Sequence, residues 1–485
     1  MTTDTNWTAW TPAERESFFA AIARHRRAAW RVTFASGAVN LAVALIVAVL
    51  MAPLFYGALA LALDLLNLVV PAPNLVPGIG HALDKALNAP AAMSVRDWIQ
   101  LGLLAALPGL VWMAFVLNAL RRVLTACMVF DSGELAAREP DSAVLAEQRF
   151  GNVAGEMAIA ANLPPPRVLI VDSAVVDAVA FGTDERHSTL VISRGLLALL
   201  NRAQLEGVAA NLVAAIADGD LKIGVRAALS LNLFGLIARL GSLVTRKHAR
   251  SNLARIVIAT LLPTTKSARQ LITQLASPFA DELEQRAAST PNPVPSTGLA
   301  GRWERIRPYL WLPLAGPLVM TGFFGAIVNL FVLGPLLSLA WRQRKYMADA
   351  TAVRLTRDPD TLSGALEQMT KQRGAPLASW AAHMSVTDHT GQRGGVFAGS
   401  AVPMFPSIER RLRALGALGA HITRAAGPKM PLKSWLLIGP LLAVLAVLVA
   451  IMLPLLIWLS LASTALFGGI PFGILHVLLR WLGHH

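Results

Sequence analysis

Stretches of about twenty residues without a charge decide the class of this chain before any motif is considered. Residues 36–56, SGAVNLAVALIVAVLMAPLFY, carry no charged side chain, and a bilayer core about 30 Å thick takes roughly 20 apolar residues in helical form. The apolar pattern runs on to Val70, interrupted at Asp64, and a kink at Pro53 would lay its second part along the interface; PAPNLVPGIG (71–80) then ends it. Residues 99–120 form a second such stretch, stopped by Arg121 and Arg122. Arg15, Arg24, Arg26, Arg27 and Arg31 precede the first run, so the excess of basic residues on cytoplasmic flanks predicts a hairpin with both ends in the cytoplasm. The first run is too long for the apolar core of a cleavable signal peptide, and an anchor is expected.

Composition agrees. Only 15% of residues are charged and 55% are hydrophobic, against roughly a quarter charged in ordinary soluble domains. The net charge of +14, from 43 Lys+Arg against 29 Asp+Glu, is assigned to topology and to anionic lipid. No aromatic-basic module accompanies it, so nucleic acid is not an expected partner. The single cysteine, Cys127, excludes an intramolecular disulfide and suits a reducing compartment.

From about 123 to 225 the pattern becomes that of a soluble α/β domain. PPPRVLIVDS (164–173) reads as a strand entered from a rigid turn, DAVAFG (177–182) as a second strand, and STLVISRGLL (188–197) as a third leading into a helix. Asn201, with Gln204 three residues on, predicts a capped helix start. Leu205, Val208, Ala209, Leu212 and Ile216 then fall at helical spacing on one face, and Gly219 closes the helix. Residues 227–245, with Arg239 inside, read equally as a third span or an interfacial helix. A basic stretch follows over 246–308, ending in STPNPVPSTG (289–298), and then a long apolar run over 309–340. Residues 341–369 predict a helix, a turn at Asp358-Pro359 and a second helix; 370–407 read as loop and 435–479 as a C-terminal hairpin.

Three phrases, in order, resemble the HtpX-like membrane zinc metallopeptidases, relatives of the CAAX prenyl proteases. LVISRGLLALLNRAQLEGVAANLVAAIADGDL (190–221) resembles the strand–turn–helix that carries H-E-x-x-H in that family. RQRKYMADATAVRLTRDPDTLSGAL (342–366) resembles its REYEADADAV…NPEGLIRAL, and FPSIERRLRAL (405–415) its HPSIEERIRRL. The resemblance implies a multi-span α-helical membrane protein with a cytoplasmic α+β gluzincin-like domain. Its parts are a cytoplasmic segment 1–33, a transmembrane hairpin 34–122, a peptidase-like domain 123–430 interrupted by membrane segments near 227–245 and 309–340, and a C-terminal hairpin 431–485.

It also implies a zinc site, and there the chain departs. In the family two histidines four residues apart offer nitrogens to zinc, the glutamate between them is the general base, and a glutamate on a later helix completes the ligand set. The matching residues are Asn211 for the first histidine, Leu212 for the base, Ala215 for the second histidine and Lys345 for the later glutamate. Zinc binding in the family manner, and any other cofactor, is therefore not expected. Asp349 matches the family's supporting aspartate and is expected to pair with Lys345 one helical turn away. His383 and His389, six residues apart, are expected in an exposed loop; His187 in a surface turn; Asp218 and Asp220 capping the helix end or facing solvent. Asp177, Ala178, Val179, Ala180 and Phe181 match the family strand along which substrate is extended by backbone pairing, which needs no metal.

The expectation is a pseudopeptidase of the inner membrane, multi-pass, its domain facing the cytoplasm. It would bind membrane-protein segments or partner subunits, with the lipid bilayer as surroundings. Two other readings stand beside it: a membrane-bound zinc metalloendopeptidase of membrane-protein quality control with relocated ligands, and a transporter-like protein in which charges such as Arg239 line a polar path.

Overall fold

The computed structural model describes residues 15–67, 84–86, 88–129, 136–245, 260–276, 324–371 apart from 326, 383–386, 404–422 and 469–483, with single positions between them. The basic stretch up to 257, the Pro-rich segment 289–298, residues 309–323, His389 and most of 435–468 lie outside the described residues.

The first helix, α1 (Phe18–Asn67), is unbroken over 50 residues, about 75 Å at 1.5 Å per residue. It begins well before the apolar run. Its polar start joins the sheet-bearing part of the molecule: Ala21 and Ile22 are buried with Met347 and Ala350, and the His25 ring stacks on Tyr346 at 5.2 Å. α2 (Val95–Met128) starts at a capping box in which Ser94 and Asp97 satisfy each other's backbone N–H groups. It continues past Arg121 and Arg122, which the sequence had as its end. α1 and α2 touch backbone to backbone, since a Cβ on Gly109 would lie 2.4 Å from the Ala48 Cα. Among the described residues two helical stretches, Phe18–Val49 and Gly109–Met128, are long and apolar enough to cross a membrane.

The four-stranded mixed sheet comprises β1 (Ala137–Arg138), β2 (Arg167–Val171), β3 (Ala178–Gly182) and β4 (Ser188–Ser193), with α3 (Leu145–Ala160) between β1 and β2. Strand order is β1-β2-β4-β3. β2 and β4 are parallel, with Leu169 opposite Val191; β3 runs antiparallel to β4, with Val179 opposite the same Val191. β3 is thus the last strand of the ladder. α4 (Arg194–Leu199) leaves β4 through the Ser193 cap.

α5 (Arg202–Ala217) opens with the expected capping box, Asn201 and Gln204 exchanging bonds of 2.9 and 3.1 Å, and closes at Gly219 with φ +80°. The apolar stripe read from the sequence is only part of its burial. Every residue from Gly207 to Ile216 is buried, because β3, α3, α8 (Gly334–Thr356) and α9 (Pro359–Lys371) enclose it. Gly207 lets α9 come that close: a Cβ there would sit 2.6 Å from the Leu362 backbone nitrogen. Each buried Leu, Val or Ile on α5 contributes about 1.5–3 kcal/mol relative to exposure. Further helices among the described residues are α6 (Asp220–Thr245), which contains the whole of 227–245, α7 (Thr265–Ala276), α10 (Ile408–Ala417) and α11 (Ile470–Gly483).

Candidate functional site

The positions singled out from the sequence meet where α5 and α8 cross under β3. Asn211, Leu212 and Ala215 on α5 and Lys345 and Asp349 on α8 are all buried. Burying ions this way is costly unless each has a partner, so the partners explain the site.

Asp349 does not pair with Lys345. Its carboxylate accepts two bonds from the Arg411 guanidinium, Nε to Oδ2 at 2.9 Å and Nη2 to Oδ1 at 2.6 Å. A third comes from the Asn211 side-chain amide at 2.9 Å. Arg411 is 1% exposed, and its Nη1 donates to the Val386 carbonyl. The fork geometry of a guanidinium against a carboxylate outcompetes the point charge of a lysine. Arg411 supplies it from α10, which helical spacing alone could not indicate.

Lys345 turns the other way. Its Nζ donates to the Ser385 carbonyl at 2.9 Å and lies 4.8 Å from the centre of the Phe405 ring and 6.0 Å from that of Trp341. Burial lowers its pKa to about 8, against the opposing pull of Asp220 and Asp349.

His383 is buried, not in an exposed loop. Its ring packs on Trp341 at 5.5 Å, and burial, reinforced by Lys345, lowers its pKa to about 3. A residue kept neutral at every physiological pH was not foreseeable from HMSVTDH alone. His187 does lie at the surface, bonded to Asp184 at 2.9 Å. Asp218 is the half-buried C-cap of α5, as expected, whereas Asp220 does not face solvent. Asp220 is wholly buried and paired to Arg344, and Arg344 also donates to the Asp218 carbonyl. Burial and the neighbouring Asp220 raise the Asp218 pKa to about 6.

β3 is buried along its whole length. Its outer edge pairs with the chain itself: Val179 forms an antiparallel bridge with Ser385, and the Val386 N–H donates to the Ala178 carbonyl at 3.2 Å. Asp177 anchors the arrangement, accepting from the Ala178 N–H at 2.8 Å, the Leu377 N–H at 3.0 Å and the Ser385 hydroxyl at 3.1 Å. The strand expected to take substrate thus already holds a peptide segment, that of residues 385–386.

The mixed sheet, with its last strand against α5 and α8 packed on α5, lies largely in the stretch that the comparisons match. Residues 145–289 match the model of Peptidase family M48. The chain is 29% identical to a protease HtpX homolog of Dictyoglomus turgidum over 220 residues, covering 45% of this chain and 53% of that protein. It is 26% identical to one from Caldanaerobacter subterraneus subsp. tengcongensis over 269 residues, 55% of this chain and 71% of the relative. The chain spans about half the length of the first of these relatives. No solved structure matches. Part of the chain thus matches peptidase family M48, and the chain is similar to the HtpX homologs.

A zinc ion of the kind this family implies would need nitrogen, sulfur or carboxylate donors at these positions. The Asn211 side-chain amide is committed to Asp349, Ala215 has no donor atom, and the Lys345 position presents an ammonium. These residues do not fit a dication. Among the described residues no group of three His, Cys, Asp or Glu side chains could hold a metal ion.

Proposed function

We propose that this protein is a catalytically inactive, membrane-embedded relative of the HtpX-like peptidases, which binds extended segments of membrane proteins or partner subunits at the cytoplasmic face. One observation carries the reading: a lysine ammonium, buried and bonded to a backbone carbonyl, stands where the family resemblance puts a zinc-binding glutamate. Leu212, at the position matching the general base, has no atom that could take a proton from water. The fold remains suited to binding, because strand pairing uses backbone groups and no metal.

The two apolar helical stretches support residence in a bilayer. The arginines at Arg15–Arg31 and at Arg121–Arg122 favour an inner-membrane, multi-pass arrangement with the domain in the cytoplasm. The division into segment 1–33, hairpin 34–122, domain 123–430 and hairpin 431–485 goes with this reading.

The test uses the full chain in detergent, supplied with zinc and an unfolded, β-casein-like substrate. The proposal expects the substrate to be retained on the protein and recovered intact. New fragments that disappear in a chelator, or no retention at all, contradict it.

A further inference from the structure

The segment 383–386 is held by its side chains, with the Ser385 hydroxyl on Asp177 and Met384 and Val386 in the core, and also by its backbone. Three of its four carbonyls accept from side chains on the facing helices: Trp341 Nε1 donates to the His383 carbonyl at 3.2 Å, Lys345 Nζ to the Ser385 carbonyl at 2.9 Å, and Arg411 Nη1 to the Val386 carbonyl. On the other side the Val386 N–H pairs with β3. A strand edge on one side and side-chain donors on the other make a groove that can hold peptide backbone.

We infer that β3 together with Trp341, Lys345 and Arg411 forms a peptide-binding groove, occupied in the resting protein by the chain's own residues 383–386, which an incoming extended peptide displaces. The inference rests on the peptide-binding reading above and adds to it a ligand class, three recognition residues and a built-in competitor. Lys345 acquires a role in this account: its ammonium meets a peptide carbonyl at the place where the resemblance puts a metal ligand. The exchange is one of like for like. The incoming strand makes the bonds that the departing one gives up, so affinity is set by the difference between the two and stays modest.

Val179 and Ser385 are opposite each other in a pair flanked by the Val386–Ala178 bond, the non-hydrogen-bonded kind in which Cα atoms stand about 4.5 Å apart, close enough for a disulfide. In the full chain, Val179→Cys with Ser385→Cys is therefore expected to cross-link on mild oxidation; the natural Cys127 is buried. The probe is a fluorescent peptide copying residues 381–390, AAHMSVTDHT. The inference expects the reduced protein to bind it and the oxidised protein to bind at least tenfold more weakly. No cross-link in folded protein, or equal binding in the two states, overturns the inference and leaves binding elsewhere on the protein intact. No binding in either state removes the peptide-binding reading itself.

A measurement on the unmutated chain guards against a variant that fails to fold. Amide hydrogen exchange at 383–386 is expected to accelerate when the peptide saturates the protein, while β3 stays protected. Unchanged exchange at 383–386 under saturating peptide marks a permanently seated loop and overturns the inference.

Discussion

The α1–α2 pair and the crossing of α5 with α8 solve opposite problems. Along α1 and α2 large apolar side chains point outward: Phe34 is 79% exposed, Leu41 61%, Leu103 62% and Leu107 57%. Under β3 the charges point inward, and Asp220, Arg344, Lys345, Asp349 and Arg411 are all buried. An outer surface of this kind is stable in apolar surroundings, where the hydrophobic effect no longer penalises it. An interior of the second kind is stable only when each charge is answered. One region therefore depends on its solvent, the other on exact internal pairing, and the two fail under different perturbations.

The largest effect is expected from Arg411→Leu. It leaves the buried Asp349 carboxylate with the Asn211 amide alone, and a buried ion deprived of its partner costs about 3–5 kcal/mol. The pair with Asp349→Leu added should recover part of that loss. A single-variant cost under about 1 kcal/mol in denaturant titration would break the pairing account.

Next comes a charge on the outer face of the helix pair. Leu107→Arg is expected to cost about 2.5–3.5 kcal/mol in a membrane-insertion assay if this face meets lipid, against a change within about 0.5 kcal/mol on a water-exposed face. The assay thus separates the two kinds of surface directly.

Lys345→Met sharpens the contrast from inside the site. With the lysine pKa lowered from 10.5 to about 8, the unfolded chain holds more protons than the folded one between those values, so stability rises with pH across that window. The methionine variant lacks the slope. It is expected to be more stable at pH 7 by on the order of 1–3 kcal/mol, an advantage that disappears above the ordinary lysine pKa. Stability that falls with pH over the same window would contradict the burial of the cation.

The smallest effect at neutral pH belongs to His383. Its pKa of about 3 lies below the ordinary 6.5, so its contribution is full above pH 6.5 and is lost as pH falls towards 3, by at most about 1.4 kcal/mol per pH unit. His383→Phe should flatten that limb in thermal unfolding at successive pH values. An unchanged acid limb would place the histidine in water.

What the sequence made legible follows from the range of the interactions. Local signals were enough for β2, β3 and β4, for the Asn201–Gln204 box and for the helix end at Gly219, since each is set by neighbours a few residues away. The turn between α8 and α9 was equally local, with Arg357 in the left-handed region at φ 57°. The site was legible as positions, but its partners were not. Spacing of i to i+4 proposed Lys345 for Asp349, whereas Arg411, 62 residues on, takes the carboxylate. Asp220 looked like a helix-end residue because its partner Arg344 lies 124 residues away. The burial of His383 depends on Trp341 and on Gly224, where a Cβ would come within 3.2 Å of the imidazole Nε2. One clue was available: a buried carboxylate on α8 demanded a cation, and FPSIERRLRAL offered three arginines.

The central claim is that the chain keeps a peptidase fold whose metal site has been replaced by an internally paired one. The most direct measurement is the zinc content of detergent-purified protein, freed of any histidine tag, incubated with excess zinc and analysed by elemental mass spectrometry. The account predicts zinc near zero, unchanged when Lys345 is replaced by methionine. About one zinc per chain, held tightly through dialysis, would contradict it and point to ligands recruited from elsewhere in the chain.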